Sequence, residues 1–157
     1  MIKLDYINDT PIGKNFKAFG TIWGIELLKK QYSIIYDEAK KIKPDALIIG
    51  NSPNPYFADV IDILRLNDIH DKDEEIVKRM AHRAKVSRIA CPGWLIDTDN
   101  WPVPNRKVWM EYMREQPKLG IPLMYSFENI YTSKENITDD DYEEIRQIWN
   151  KYEKNLN

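Results

Sequence analysis

Cysteine is almost missing from this chain, which has one, Cys91, in 157 residues. A single cysteine excludes an intrachain disulfide and a cysteine-based zinc site. Long apolar runs are missing too, and no stretch approaches the length of a membrane span. The N-terminus, MIKLDYIND, has neither the basic start nor the apolar stretch of a signal peptide. We therefore expect a cytoplasmic protein with no membrane partner.

An excess of one charge is also missing. Lysine and arginine number 23 against 25 aspartate and glutamate residues, and the basic residues are interleaved with acidic ones. No basic stripe therefore indicates nucleic-acid binding. The phosphate loops G-x-G-x-x-G and G-x-x-x-x-G-K-[ST] are absent, which argues against the common modes of nucleotide binding. His70 and His82 lie too far apart to predict a metal pair, and we expect neither a metal nor a cofactor.

What the chain does have is alternation. Apolar runs of strand length alternate with stretches in which apolar residues recur every three or four positions. This order predicts a single α/β domain over residues 1–157, with about five parallel strands and right-handed crossovers. Strands are predicted at 2–7, 45–50, 58–66 and 121–126, with a less clear one inside 88–96 that Pro92-Gly93 interrupts. Helices are predicted at 25–42, at about 72–87, from Asn105 to about Gln116 and after Thr138, and 8–20 is predicted to be a loop.

Polar side chains follow the predicted strands. Lys3 and Asp5 end the first strand on the same side, because side chains alternate along a strand. Arg65 and Asp68 end the third. In parallel α/β proteins the carboxyl ends of the strands build the site. Glycosidases need one ionised carboxylate and one protonated carboxyl, so Asp5 and Asp68 are candidates. The plainer interpretation is an ion pair of Asp5 with Lys3 and a capping role for Asp68.

Four motifs then occur in the order found in the α-galactosidase superfamily, which is clan D of the glycoside hydrolases. They are Lys3-x-Asp5, Arg65-x-Asn67-Asp68, Pro92-Gly93-Trp94 followed by Asp97-x-Asp99, and Ile121-Pro122-Leu123-Met124-x-Ser126. The chain therefore resembles strands four to eight of that family's (β/α)8 barrel, also called a TIM barrel. The resemblance covers nearly the whole chain, from Lys3 to the terminal helix.

This resemblance implies a function and a set of roles. It implies a retaining hydrolase that cleaves terminal α-linked sugars through a covalent glycosyl-enzyme intermediate. Asp5 takes the place of the nucleophile, and Asp68 that of the acid/base. The residues expected to bind the carbohydrate substrate are Lys3, Asn51, Arg65, Trp94, Asp97 and Asp99. Without the resemblance, the preferred interpretation of Asp97 and Asp99 is that they order the loop in which they lie.

Two departures from the family keep other interpretations open. The third-strand motif has Asn67 where the family often has serine, and no motif matches the family's first three strands, which supply an aromatic wall and acidic residues. One alternative is a catalytically silent half-barrel, either a fragment of a glycosidase or a subunit that needs a second copy or a complementing chain. The other is a module that binds carbohydrate through Trp94 or Trp101 without hydrolysing it.

Overall fold

Four parallel strands and four α-helices make up the part of the chain that the computed structural model describes, residues 1–7, 20–69 and 75–156. The strands are β1 (Ile2–Lys3), β2 (Ile48–Gly50), β3 (Ile63–Arg65) and β4 (Leu95–Asp97). The helices are α1 (Ile25–Ile42), α2 (Ile76–Ala90), α3 (Arg106–Leu119) and α4 (Asp139–Lys154). The prediction of an α/β fold with a parallel sheet is confirmed.

The strands lie side by side in chain order, and each pairs in parallel with the next. One row of the register joins Lys3, Ile49, Ile63 and Leu95. Because every connection moves one strand in the same direction, right-handed crossovers place α1, α2 and α3 on one face of the sheet. Side chains at alternate positions of the strands face the other side, which we call the helix-free face.

The prediction of a fifth strand at 121–126 is wrong. Only Ile121 pairs with β4, through a single bridge to Asp97. Beyond it, side chains replace the ladder. Gln116 Oε1 accepts the backbone N–H of Leu123 at 3.2 Å, and Asn100 Oδ1 accepts that of Tyr125 at 3.0 Å. Since side-chain amides satisfy these backbone groups, the segment stays extended without being a regular strand.

The other predicted strands are all shorter in the structure: 2–7 pairs only at Ile2–Lys3, and 45–50 only at Ile48–Gly50. In the segment 58–66 only Ile63–Arg65 pairs, and a 3₁₀ turn at Pro55–Phe57 precedes it. Asn54 caps that turn by accepting the N–H of Tyr56. In 88–96, α2 continues through Ala90 and β4 starts at Leu95. Pro92-Gly93 therefore connects a helix to a strand and does not interrupt a strand.

Helix ends follow the sequence signals closely. The predicted helix 25–42 is confirmed as α1. Asn105 caps α3 by accepting the N–H of Val108 at 2.9 Å, and α3 runs three residues past Gln116 to Leu119. Thr138 and Asp141 form a capping box at the start of α4. The predicted start of α2 at residue 72, the predicted loop 8–19 and His70 lie outside the described residues.

Two apolar clusters support the sheet. The larger one packs α2, α3 and α4 together with residues from the ends of β3 and β4, and Trp109 and Met113 are fully buried in it. The smaller one lies beneath α1 and contains Tyr32, Phe57, Val60 and Ile61. Of the helices within residues 1–7, 20–69 and 75–156, none has the length and apolar character needed to cross a membrane.

Candidate functional site

One row of side chains crosses the carboxyl end of the sheet. Arg65 on β3 pairs with Asp97 on β4. This pair lies two residues further along the strands than the row that contains Lys3. The same step along β1 and β2 leads to Asp5 and Asn51. Side chains two residues apart share a face of a strand, so register alone directs these polar groups to the helix-free face.

Arg65 is the centre of the resulting ion pairs. Its side chain is buried; Nη1 donates to Asp5 Oδ1 at 3.2 Å, and Nη2 donates to Asp68 Oδ1. Its Nε lies 2.5 Å from Asp99 Oδ2, an ion pair that lacks hydrogen-bond geometry. Burial acts to lower the pKa of Arg65, but the surrounding carboxylates outweigh it and raise that pKa overall. The guanidinium is therefore a permanent cation shared by three acids.

The two candidate catalytic carboxylates meet on this guanidinium. Asp5 comes from the end of β1 and Asp68 from the end of β3, far apart in the chain. Their side chains remain 51% and 58% exposed, whereas Arg65 is 2% exposed. A buried cation thus fixes two carboxylates that a ligand can still reach.

Three strand ends turn through left-handed backbone at residues other than glycine. The φ values are 54° at Tyr6, 72° at Asn67 and 49° at Asp99. Such values are uncommon outside glycine and cost about 1–3 kcal/mol each, and they cluster at functional sites. Tyr6 follows Asp5, and Asn67 precedes Asp68. The strain therefore lies at the turns that direct the carboxylates of the cluster.

Asp97 and Asp99 lie beneath this surface, 1% and 0% exposed. Asp97 Oδ1 accepts the N–H of Asp99 at 2.8 Å, and Asp99 Oδ1 accepts the N–H of Trp101 at 3.1 Å. Burial raises the pKa of Asp97. Burial likewise raises the pKa of Asp99 to about 6, against the opposing attraction of Arg65. Their placement favours the loop-ordering interpretation over direct contact with a sugar, and they support the site from below.

Tyr125 belongs to the cluster, although the sequence motif leaves position 125 unspecified. Its hydroxyl donates to Asp97 Oδ2 at 3.3 Å, and Lys3 Nζ lies 4.1 Å from the centroid of its ring. Burial, with the charges of Asp97 and Asp99, raises the pKa of Tyr125 well above its usual value, so the hydroxyl remains a donor. The sequence signal that could have indicated Tyr125 is its spacing of two residues from Leu123, which places both side chains on the same side of an extended segment.

Asn51 links the ends of two strands. Its Oδ1 accepts the hydroxyl of Tyr32 at 3.3 Å, and its Nδ2 donates to Asn67 Oδ1 at 3.1 Å. A cavity of about 320 Å³ adjoins it, and Asp5 and Asp68 do not line this cavity. Asn51 is thus close to the predicted site and is engaged in holding its turns. The cavity is lined by Asn51, Pro53, Arg65, Leu66, Asn67, His82, Arg83, Val86 and Ser87.

The structure does not bring Trp94 to the cluster. Trp94 directly precedes β4, at the amino end of the sheet, and packs against the smaller apolar cluster. Trp101 is at the opposite, carboxyl end, with its ring centroid 4.4 Å from that of Tyr131. An aromatic wall near the carboxylates would therefore come from Trp101 and not from Trp94.

The described residues contain no group of side chains that could bind a metal ion. Among residues 1–7, 20–69 and 75–156, no three His, Cys, Asp or Glu side chains are grouped so that they could hold a metal ion. The acids that do converge are arranged around a guanidinium. The chemistry available at this site is therefore that of two accessible carboxylates, a lysine and a tyrosine on a buried arginine.

Comparison of the chain with protein-family models, with curated proteins and with solved structures found no match. The resemblance to the α-galactosidase superfamily thus rests on the four sequence motifs. What the geometry adds is that the two candidate catalytic acids in those motifs, Asp5 and Asp68, contact the same guanidinium.

Proposed function

We propose that this chain is a retaining glycoside hydrolase similar to α-galactosidases, built on strands four to eight of a (β/α)8 barrel. The observation that carries the proposal is the convergence of Asp5 and Asp68 on Arg65. Two accessible carboxyl groups at one end of the sheet, one to attack and one to donate a proton, are what glycoside hydrolysis requires. The substrate class is a terminal α-linked sugar, as the family resemblance implies.

The strand order supports the barrel part of the proposal. Consecutive parallel strands with the helices on one face are typical of such barrels, and β1 to β4 follow that order. Neighbouring strands are about 4.8 Å apart, so a flat sheet would keep β1 about 14 Å from β4. Lys3 on β1 contacts the ring of Tyr125, whose hydroxyl is bonded to Asp97 on β4. Tyr125 thus links Lys3 on one outer strand to Asp97 on the other across the helix-free face.

Asp5 and Asp68 have different tasks in this mechanism. The Asp5 carboxylate attacks the anomeric carbon while Asp68 protonates the departing oxygen, and Asp68 then takes a proton from the water that releases the sugar. Retention needs a carboxyl separation of about 5–5.5 Å, against about 6.5–9.5 Å for inversion. Both carboxylates contact terminal nitrogens of the same guanidinium. This shared contact favours the shorter distance and therefore retention.

The nucleophile can be tested by replacing Asp5 with Asn. We expect hydrolysis of 4-nitrophenyl α-galactoside to fall at least about 10³-fold, because no covalent intermediate can form. Added azide should restore turnover and yield the β-glycosyl azide, identified by NMR.

Asp45 provides the matched control, since it is an exposed aspartate paired with Lys43 near the end of α1. The Asp45→Asn variant should keep wild-type rates. Full activity in Asp5→Asn, or azide rescue without a glycosyl azide, would remove Asp5 from the role and overturn the proposal.

A second candidate is a half-barrel that is completed by another chain. β1 pairs only with β2 within the described residues, and apolar side chains around β1 and the start of α1 are exposed. Unpaired edges and exposed apolar surface favour association. Light scattering distinguishes the two: an active monomer supports the first candidate, and activity confined to a dimer or to a mixed complex supports the second. The exposed apolar residues are Met1, Ile2, Trp23, Ile25 and Leu47.

A further inference from the structure

Tyr125 contacts residues of both outer strands of the sheet, Lys3 on β1 and Asp97 on β4. We propose that Tyr125 is a positioning residue, whose ring holds the Lys3 ammonium at the mouth of the site while its hydroxyl anchors the ring on Asp97. The inference rests on the proposed function and deepens it, because it says how the lysine expected to bind the sugar is held. No motif in the sequence assigns a role to this position.

The segment that carries Tyr125 is fixed by buried amides. Asn100 is fully buried; its Oδ1 accepts the N–H of Tyr125 at 3.0 Å, and its Nδ2 donates to the carbonyl of Leu123 at 2.9 Å. Gln116, also fully buried, accepts the N–H of Leu123. A buried amide with both ends bonded orders its partners strongly. The ring of Tyr125 is therefore a rigid platform.

Lys3 needs such a platform because its stem is long and flexible. Its ammonium lies 4.1 Å from the centre of the Tyr125 ring. Among the described residues, no carboxylate forms an ion pair with that ammonium; Asp5, Asp68 and Asp99 pair with Arg65. Cation–π attraction holds the charge without using its N–H donors. The donors of Lys3 thus stay available for the hydroxyls of a ligand.

The direction of Lys3 also fits this role. Lys3 and Asp5 are two residues apart on β1 and its continuation, so their side chains share the helix-free face. The platform therefore keeps a hydrogen-bond donor beside the carboxylate proposed to attack the anomeric carbon. A lysine that was free to turn away would leave the sugar hydroxyls unbound, and binding would weaken before the chemical step did.

The test is a double-mutant cycle on Lys3 and Tyr125. Tyr125→Leu should raise KM for 4-nitrophenyl α-galactoside about three- to tenfold, with a smaller change in kcat. Lys3→Met should raise KM by at least as much, and adding Tyr125→Leu to it should cause no further rise. Tyr125→Phe keeps the ring and loses only its bond to Asp97, so its KM should rise less than that of Tyr125→Leu. Fully additive effects of the two substitutions would overturn the proposal.

Tyr56→Leu is the matched control, because Lys29 Nζ lies 4.4 Å from the ring centroid of Tyr56 away from the cluster. This variant removes the same kind of contact and should leave KM unchanged. A KM rise in Tyr56→Leu equal to that in Tyr125→Leu would mean that loss of packing, and not positioning, causes the effect.

NMR separates the inference from the proposed function. The εCH₂ signals of Lys3 should be shifted upfield by the Tyr125 ring in the wild type and in Tyr125→Phe, and should lose that shift in Tyr125→Leu. Unshifted Lys3 signals in the wild type would overturn the inference even in an active enzyme. If the wild type hydrolyses no glycoside, the proposed function fails. The same cycle measured on galactose binding by calorimetry then decides the inference, with additive losses or no binding counting against it.

Discussion

Helices α1 and α3 carry similar amphipathic patterns in different surroundings. α1 buries only Tyr32 among its 18 residues, whereas α3 buries seven of its 14. Ile42, the last residue of α1, is 88% exposed. α1 begins at Gly24 without a side-chain cap, whereas Asn105 caps α3. The two helices therefore differ in how much of the fold supports them.

The difference teaches that an amphipathic pattern states which face can be buried, while neighbouring elements decide whether it is. α3 packs against both α2 and α4 and contributes to the larger apolar cluster. The cluster beneath α1 has only four buried residues. Uncovered apolar surface on a helix is a usual place for another element to pack. The α1 side is thus the less covered of these two regions of the described fold.

The candidate site joins these two regions. Asp5 follows β1 on the α1 side, Asp99 follows β4 on the α3 side, and Arg65 pairs with both. The weakly supported region therefore supplies the proposed nucleophile. The position of Asp5 depends on its ion pair with Arg65, which also pairs with Asp99. The largest change in stability is therefore expected when Arg65 is replaced.

Replacing Arg65 with Met should destabilise the protein by about 3–5 kcal/mol, because the fully buried Asp99 would lose its cation. Urea unfolding followed by tryptophan fluorescence measures this change. Arg114→Met is the matched control, since Arg114 pairs with Glu144 at the surface of α3, and it should cost under about 1 kcal/mol. Equal losses in the two variants would mean that Arg65 does not tie the regions together.

Much of the fold was predictable because its signals are local. The ends of α1 and the caps at Asn105 and Thr138 depend on residues within a turn of each other. The segment 121–126 was predicted wrongly as a strand, because its apolar run has strand character. Strand pairing depends on neighbours far away in the chain, and here the amides of Asn100 and Gln116 take those backbone groups instead.

The candidate site was predictable in its residue types and only partly in its contacts. Asp5, Arg65 and Asp68 stand at strand ends, so parallel order brings them to one edge of the sheet. That a single guanidinium bridges them depends on register and side-chain length. Trp94 illustrates the opposite case, since its place beside a strand says nothing about which end of the sheet it occupies until the strand is bounded at Leu95.

A second prediction compares one truncation in each helix. Met113→Ala removes a fully buried side chain from α3 and should cost about 2–5 kcal/mol. Ile42→Ala removes an exposed side chain from α1 and should change stability by under about 0.5 kcal/mol. Urea unfolding at several protein concentrations measures both. A large, concentration-dependent loss in Ile42→Ala would contradict the comparison and show that a second copy covers α1 in solution.

The smallest predicted effect concerns one carboxyl near each helix. Burial raises the pKa of Asp99, near the start of α3, from 3.8 to about 6. The folded state therefore holds a proton that the unfolded state has released, and the contribution of Asp99 to stability falls as pH rises from about 4 to about 6. The limit of this loss is about 3 kcal/mol. The difference in unfolding free energy between wild type and Asp99→Asn should fall across that window.

Asp45, near the end of α1, provides the opposite sign. The hydrogen bond from Lys43 lowers the pKa of Asp45, so its contribution is present above the unfolded pKa and is lost as pH falls through the folded pKa. The wild type should therefore lose stability relative to Asp45→Asn on acidification, while it gains stability relative to Asp99→Asn. The same slope in both pairs would mean that Asp99 is ionised throughout. In that case the attraction of Arg65 outweighs the effect of burial on Asp99. Asp99 near α3 would then be ionised in the folded state, as Asp45 near α1 is.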